Sequence, residues 1–307
     1  MLPYFPFTEP FSQKMGTSPL SDTGSIIEID HHYINEIQQK HSLLGWDPTY
    51  YAAALPGTEQ AQWEVVDLVM ASLARTAPHQ ITFENIGKTR KWQNNMLQEQ
   101  GEFITGEQHT LPFHLPPLQW ISRQVQEDLL ILDPTGTLVA GTLCFPSGWD
   151  LTEKLGKNFM AVHAPLPEAL SRMLKAAETF MDRLPIGKSI QRNNWGLRIT
   201  DQLDLSTRHS CHYQKLLLEK ASSIKSQEIG NEVYIRIEHQ TLTRLPTTQH
   251  ILFTIHTYQE RLADELNTAE RTATFRAFMQ SVPPTVLDYK LITPLMPKLM
   301  AYLDRIG

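Results

Sequence analysis

Hydrophobic and polar positions divide the chain into two hairpins and several helices. Val233, Ile235 and Ile237 alternate with Tyr234, Arg236, Glu238 and Gln240. A period of two marks a half-buried strand. After Leu245-Pro246-Thr247-Thr248 the chain returns as His250 to Tyr258, with Ile251, Phe253 and Ile255 on one face. Arg236 and Glu238 therefore share the face opposite Ile235 and Ile237. A second hairpin lies upstream. Leu129 to Leu132 is apolar, Asp133-Pro134-Thr135-Gly136 is turn chemistry, and Thr137 to Phe145 resumes as strand.

Elsewhere the period lengthens to 3.6. Tyr33, Ile34, Ile37, Leu43 and Leu44 predict a helix with Asp30 as its N-cap. A second helix follows Gly57-Thr58, with Ala61, Val65, Leu68, Val69 and Leu73 inward and Glu59 at the favourable N-terminal end. A third is expected over 167–184, where Leu170, Met173, Leu174, Ala177, Phe180 and Met181 form one stripe. Residues 260–307 read as helical, broken at Pro283-Pro284. Residues 77–118 are polar, contain Pro112, Pro116 and Pro117, and read as a surface loop. Residues 1–24 read as an irregular arm, docked through Tyr4, Phe5 and Phe7, and residues 25–307 as one domain. Two hairpins flanking a helical middle predict an α+β fold, an antiparallel sheet with helices crossing one face.

Composition narrows the function. Hydrophobic residues make up 41% of 307, enough for a sizeable core. A net charge of -6, with no cluster of Lys and Arg, argues against nucleic acid. Two cysteines, Cys144 and Cys211, are too few for a disulfide scaffold, an iron-sulfur cluster or a Cys-rich zinc site. No window reaches the length of a membrane span, and MLPYFPFTEPF is no secretory signal, so a soluble cytoplasmic protein is expected. Neither a GxGxxG nor a GxxxxGK phosphate loop is present, nor a GxSxG elbow.

The segment 141–167, GTLCFPSGWDLTEKLGKNFMAVHAPLP, carries the most candidate chemistry. It breaks from strand at Pro146-Ser147-Gly148 and ends with His163 just before two prolines. Stiff backbone on one side suits an axial ligand, which must aim one nitrogen at a metal. From the residues alone it suits an ordinary buried histidine better still. His209 and His212, spaced i, i+3, are a second candidate pair, with two solvated histidines as the plain alternative. His31 and His32 read as a surface pair whose side chains diverge on a helix.

CFPSGWDLTEKLG with VHAPLP, then RNNWGLR at 192–198, YIRIEHQTLTRLP at 234–246 and ILFTIHTY at 251–258 occur in this order. The set resembles the heme-dependent oxidative N-demethylases, in particular their heme-bearing alpha subunit. IEIDHHYINEIQQKHSLLG and LPGTEQAQWEVVDLV resemble the start of that family. The resemblance spans roughly 26–262 and implies a PAS-like antiparallel sheet enlarged by N-terminal, central and C-terminal helices. It implies heme b, dioxygen, a small secondary amine as substrate, and a separate reductase carrying flavin and an iron-sulfur centre.

On that reading His163 is the metal ligand, and Arg192, Arg198 and Arg236 are candidates for the heme propionates, with Lys154 and Lys157 nearby. A protonated amine requires a carboxylate. Glu153 and Glu238 lie inside matching segments and are the candidates, with Asp150 and Glu64 as further possibilities. An ion pair of Glu238 with Arg236 or Arg244 is the plain alternative. Trp149 and Trp195 are candidate walls of the site, or core. Where the family commonly carries arginine, this chain has His239 and His256. A non-catalytic PAS-type heme sensor is the second reading. The absence of a recognisable output segment favours the enzyme.

Overall fold

The structure, a computed structural model, describes residues 1–7, 10–12, 16–21, 24–163 and 179–307. The expected helix over 167–184 therefore lies mostly outside the described residues. The remainder is α+β. Its strands are β1 (Ser18–Pro19), β2 (Ala52–Ala54), β3 (Ile81–Ile86), β4 (Thr89–Asn94), β5 (Glu99–Ile104), β6 (Asp128–Leu132), β7 (Leu138–Thr142), β8 (Ser189–Arg198), β9 (Tyr234–Arg244) and β10 (Ile251–Arg261). Seven of them form one antiparallel sheet in the order β1-β8-β9-β10-β6-β7-β2.

Both predicted hairpins form. β6 and β7 are joined through Asp133, whose Oδ1 accepts the N–H groups of Thr135 and Thr137, and through Gly136 at φ +83°. β7 ends at Thr142, short of the expected Phe145. Beyond it the N–H groups of Cys144 and Phe145 turn to the buried carboxylate of Asp128 at 2.7 and 2.8 Å. β9 and β10 pair residue for residue from Arg244–Ile251 to Tyr234–Arg261. The strand that the pattern conceals is β8. Its polar sequence, SIQRNNWGLR, forms the outer rail against β9.

Residues 81–104 also differ from expectation. They are a three-stranded meander, β3-β4-β5, rather than loop. Each strand offers one large inward apolar side chain, Ile81, Trp92 or Phe103, among outward Glu, Lys and Gln. Too few apolar positions recur for alternation to register. The inward rings meet Trp120 at 5.3 and 5.0 Å.

Helices cover the sheet. The helix Glu59–Thr76 buries Ala61, Val65, Val69 and Leu73 as expected, together with Trp63, Val66 and Met70, against Leu129, Ile131 and Leu252. The helix Tyr33–Trp46 departs from its simple pattern. Asp30 precedes it by too much to cap it, Ile34 is exposed, and Glu36 and Lys40 are buried instead. Lys40 Nζ donates to the carbonyls of Val125 and Glu127, which satisfies a charge that pattern reading assigns to solvent. His31 and His32 sit in the turn before this helix with ring centroids 3.8 Å apart, so they do not diverge. The C-terminal helices Ala269–Ser281 and Pro284–Tyr289 break where the two prolines stand. Of the arm, Phe7 is fully buried between Trp195, Phe275 and Phe278.

Candidate functional site

The connection from β7 to β8 leaves the sheet at Leu143 and returns at Ser189. Between it and the sheet lies a cavity of about 480 Å³, within the range of small-molecule and cofactor sites. The cross-strand register explains its two-sided character. Ile190, Leu242, Phe253 and Leu130 stand in one row across β8, β9, β10 and β6, and Arg192, Gln240 and Ile255 in the next. Asn194 faces Glu238, and Gly196 faces Arg236, in the rows after that. Side chains two apart share a face, so one end of the cavity is aliphatic and the other charged.

His163 lines this cavity from the end of the short helix Phe159–Val162. That helix is started by Asn158, whose Oδ1 accepts the Ala161 N–H. The ring Nδ1 lies 2.8 Å from the Phe159 carbonyl. A carbonyl only accepts, so Nδ1 carries the proton and Nε2 keeps its lone pair. Burial, and the nearby Arg192 and Lys154 charges, hold the imidazole below the ordinary histidine range, which favours the neutral form.

Arg192, Arg198, Arg236, Glu238, Trp149 and Trp195 border the same cavity. They are not equivalent. Arg236 is buried, and its guanidinium donates to the carbonyls of Leu203 and Phe145 at 3.0 and 2.5 Å. Arg198 donates to Ser147 Oγ and to the Leu197 carbonyl. Arg192 has a buried Nε with no hydrogen-bond partner. The Trp195 indole turns to Phe278, at 5.1 Å, while its carbonyl faces the charged end. Glu238 accepts hydrogen bonds from Asn194 and Gln240, both 3.1 Å, and its Oε1 is 3.8 Å from Arg236 Nε. Arg244 is committed to the carbonyls of Leu184, Met181 and Gln249, so it is no partner of Glu238.

Other candidates fall outside. Glu153 is exposed and does not line the cavity; its part in the structure is to donate its N–H to Asp150. Asp150 is buried as the cap of the helix Leu151–Lys154. Glu64 accepts the N–H groups of Thr247 and Thr248 at the β9–β10 turn. Lys154 borders the cavity, and Lys157 is exposed. His209 lies 3.3 Å from Asp204 and His212 is exposed; neither borders the cavity. No group of three or more His, Cys, Asp or Glu among the described residues has metal-binding geometry.

Sequence reading passed over Lys290, which enters from beyond the helix Pro284–Tyr289. Burial, then the Arg198 charge, lowers its ammonium to about 7. No periodic or motif signal marks it, because it reaches the site from a turn in the C-terminal helices.

His239 and His256 point away from the cavity, on the face that the register assigns to Asn193. His256 donates from Nδ1 to Glu127 at 2.9 Å and lies 3.8 Å from Asp30. Burial alone would lower its pKa, but the charges and hydrogen bonds of Glu127 and Asp30 raise it to about 10. The two carboxylates thus favour the imidazolium at His256. Tyr4 stacks on His239 at 4.2 Å and Tyr258 on His256 at 4.1 Å, and both tyrosines donate to Glu28.

No helix among the described residues is long and apolar enough to cross a membrane. A family model described as haem-dependent oxidative N-demethylase, alpha subunit-like, matches residues 18–300. That match takes in the sheet and every cavity residue named above, and the chain belongs to this family.

Proposed function

We propose that this chain binds heme b in the cavity and carries out oxygen-dependent N-demethylation of a small secondary amine, as a monooxygenase drawing electrons from a separate flavin and iron-sulfur reductase. The observation that carries the reading is one juxtaposition. A neutral imidazole whose Nε2 has no partner among the described residues, an arginine with an orphaned buried Nε, and a carboxylate whose Oε1 has only a long ion pair with Arg236 converge on one half-aliphatic cavity. The donor set fits the group: an imidazole for iron, aliphatic walls for a porphyrin, and unpaired guanidinium for carboxylates. The five strands β7-β6-β10-β9-β8 set the first hairpin beside the last strand, which supports a PAS-like description of the sheet.

In this reading His163 Nε2 would bind the iron, its ring fixed by the Phe159 carbonyl. Arg192 and Arg198 would hold the propionates, with Arg192 gaining the partner its Nε lacks among the described residues. Leu130, Leu138, Leu242 and Ile255 supply the apolar slot, and Trp149 closes one side. When bound, the heme supplies dioxygen binding and oxidising equivalents. Glu238 holds the substrate ammonium through Oε1 and takes the proton that the nitrogen must lose before the methyl carbon is oxidised. Formaldehyde and the demethylated amine are the products.

Absorption spectroscopy tests the ligand. The purified protein should show a Soret band, and His163→Ala should lose it while circular dichroism is unchanged. Full heme content in the folded variant would remove His163 from the site. Glu238→Gln should abolish spectral shifts induced by dimethylammonium; an unchanged titration would defeat the carboxylate assignment.

A further inference from the structure

Glu238 is held asymmetrically. Its Oε2 accepts from Asn194 Nδ2 and Gln240 Nε2, both at 3.1 Å. Its Oε1 has only Arg236 Nε at 3.8 Å, too long for a hydrogen bond. One oxygen is therefore fixed to the sheet, and the other carries only the long ion pair with Arg236, the plain alternative for this residue, and has room for a hydrogen-bonding partner.

What fixes Asn194 comes from beyond the helix Pro284–Tyr289. Lys290 Nζ donates to Asn194 Oδ1 at 3.2 Å and to the Trp195 carbonyl at 2.6 Å, and stands 4.6 Å from the Trp195 ring centroid. Lys290 spends two N–H donors here, which it has whether charged or neutral, and a carboxylate only accepts. An amide between them has one favourable orientation, Oδ1 toward Lys290 and Nδ2 toward Glu238. Reversing it sets NH₂ against the Lys290 donors and oxygen against carboxylate.

We propose that Lys290 and Asn194 are positioning residues that lock the Glu238 carboxylate with Oε1 facing the cavity, and so set affinity for a cationic amine. Lys290 does not touch the amine. It acts through the amide, which transmits its donor to the sheet as a second donor for Glu238. The inference rests on the amine-binding reading of Glu238 given above.

The test uses the full chain with its heme and dimethylammonium chloride as the probe, followed by calorimetry, with heme content and circular dichroism as controls. Lys290→Met and Asn194→Leu should each weaken binding about tenfold or more, the scale of one lost hydrogen bond to a charged group. KM should rise with kcat changed much less, and Lys290→Arg should restore most of the affinity. A side chain that merely filled space would not distinguish Arg from Met in this way. Wild-type affinity in both folded variants, or equal damage from Lys290→Arg and Lys290→Met, overturns the proposal. Should Lys290→Met not fold, Asn194→Leu and Lys290→Arg decide it. Glu238→Gln separates the two readings. Loss of binding there with Lys290→Met silent sinks the positioning role alone, while wild-type binding by Glu238→Gln sinks the amine site with it.

Discussion

Replacing His256 with Gln removes a buried cation and leaves a ring-sized side chain between two carboxylates. His256 is 1% exposed, bonded to Glu127 and close to Asp30, and protonated in the fold up to about 10 against 6.5 unfolded. A raised pKa in the folded state stabilises the fold fully below the unfolded value and loses that stabilisation as pH climbs through the folded one. Each pH unit in that window is worth about 1.36 kcal/mol. The imidazolium therefore accounts for about 4 kcal/mol at pH 7 that has gone by pH 10. The assay is urea denaturation of wild type and His256→Gln between pH 7 and 10. Lys290 titrates in the same window with the opposite sign: its ammonium is lowered to about 7, so the unfolded chain binds the extra proton and stability rises with pH. The two contributions oppose each other in the wild-type curve, and the difference between the two proteins isolates His256. That difference should start at about 3–5 kcal/mol, the cost of breaking a buried ion pair, and shrink steadily toward pH 10. A difference that is flat with pH, or below about 1 kcal/mol at pH 7, would refute the argument that His256 is an imidazolium.

Two further changes probe the frame of the cavity. A Cβ at Gly141 would lie 2.6 Å from Leu130 Cδ2 and 2.9 Å from Leu151 Cδ1. Gly141→Ala should cost about 1–3 kcal/mol by overpacking and, through Leu130, lower heme content; urea midpoints and the Soret band measure both. Glu64→Ala removes three hydrogen bonds to Thr247 and Thr248 at the turn. It should cost about 1–2 kcal/mol and leave amine affinity as in wild type, in keeping with its distance from the cavity wall.

Legibility in the sequence followed the ratio of side-chain pattern to partner chemistry. The hairpins β6–β7 and β9–β10 were readable because Leu129 to Leu132 and Ile251, Phe253 and Ile255 leave no other way to bury themselves. The opposite placement of Glu238 and Ile237 followed from the period of two. The meander 81–104 was not readable, because three strands share only three large inward side chains. β8 escaped because RNNWGLR spends its polar side chains on a cavity, where a strand's alternation is polar against aromatic rather than polar against aliphatic. Within the site, Arg192, Glu238 and His163 were reachable from local motifs. The separation of Glu153 from the cavity was not: one turn of helix sends it outward while Lys154, its neighbour, turns in. Lys290 lies 92 residues beyond Arg198 yet its carbonyl accepts a hydrogen bond from that arginine, a meeting no local window contains.

The place of Phe7 bears on how the chain matures. Its ring is sealed by Phe275 and Phe278, so a segment made early in synthesis has no berth until the helix Ala269–Ser281 has left the ribosome. β6 likewise waits for β10, its central neighbour, which arrives more than a hundred residues later. Until then β6 and β7 stand as a nascent hairpin with one bare edge, a state prone to wrong pairing. Closure of the sheet and burial of Phe7 should therefore wait for β10 and the helix Ala269–Ser281. Cofactor delivery before the last helices dock would meet a half-built wall, since Lys290 and the seat of Trp195 are supplied by those same helices.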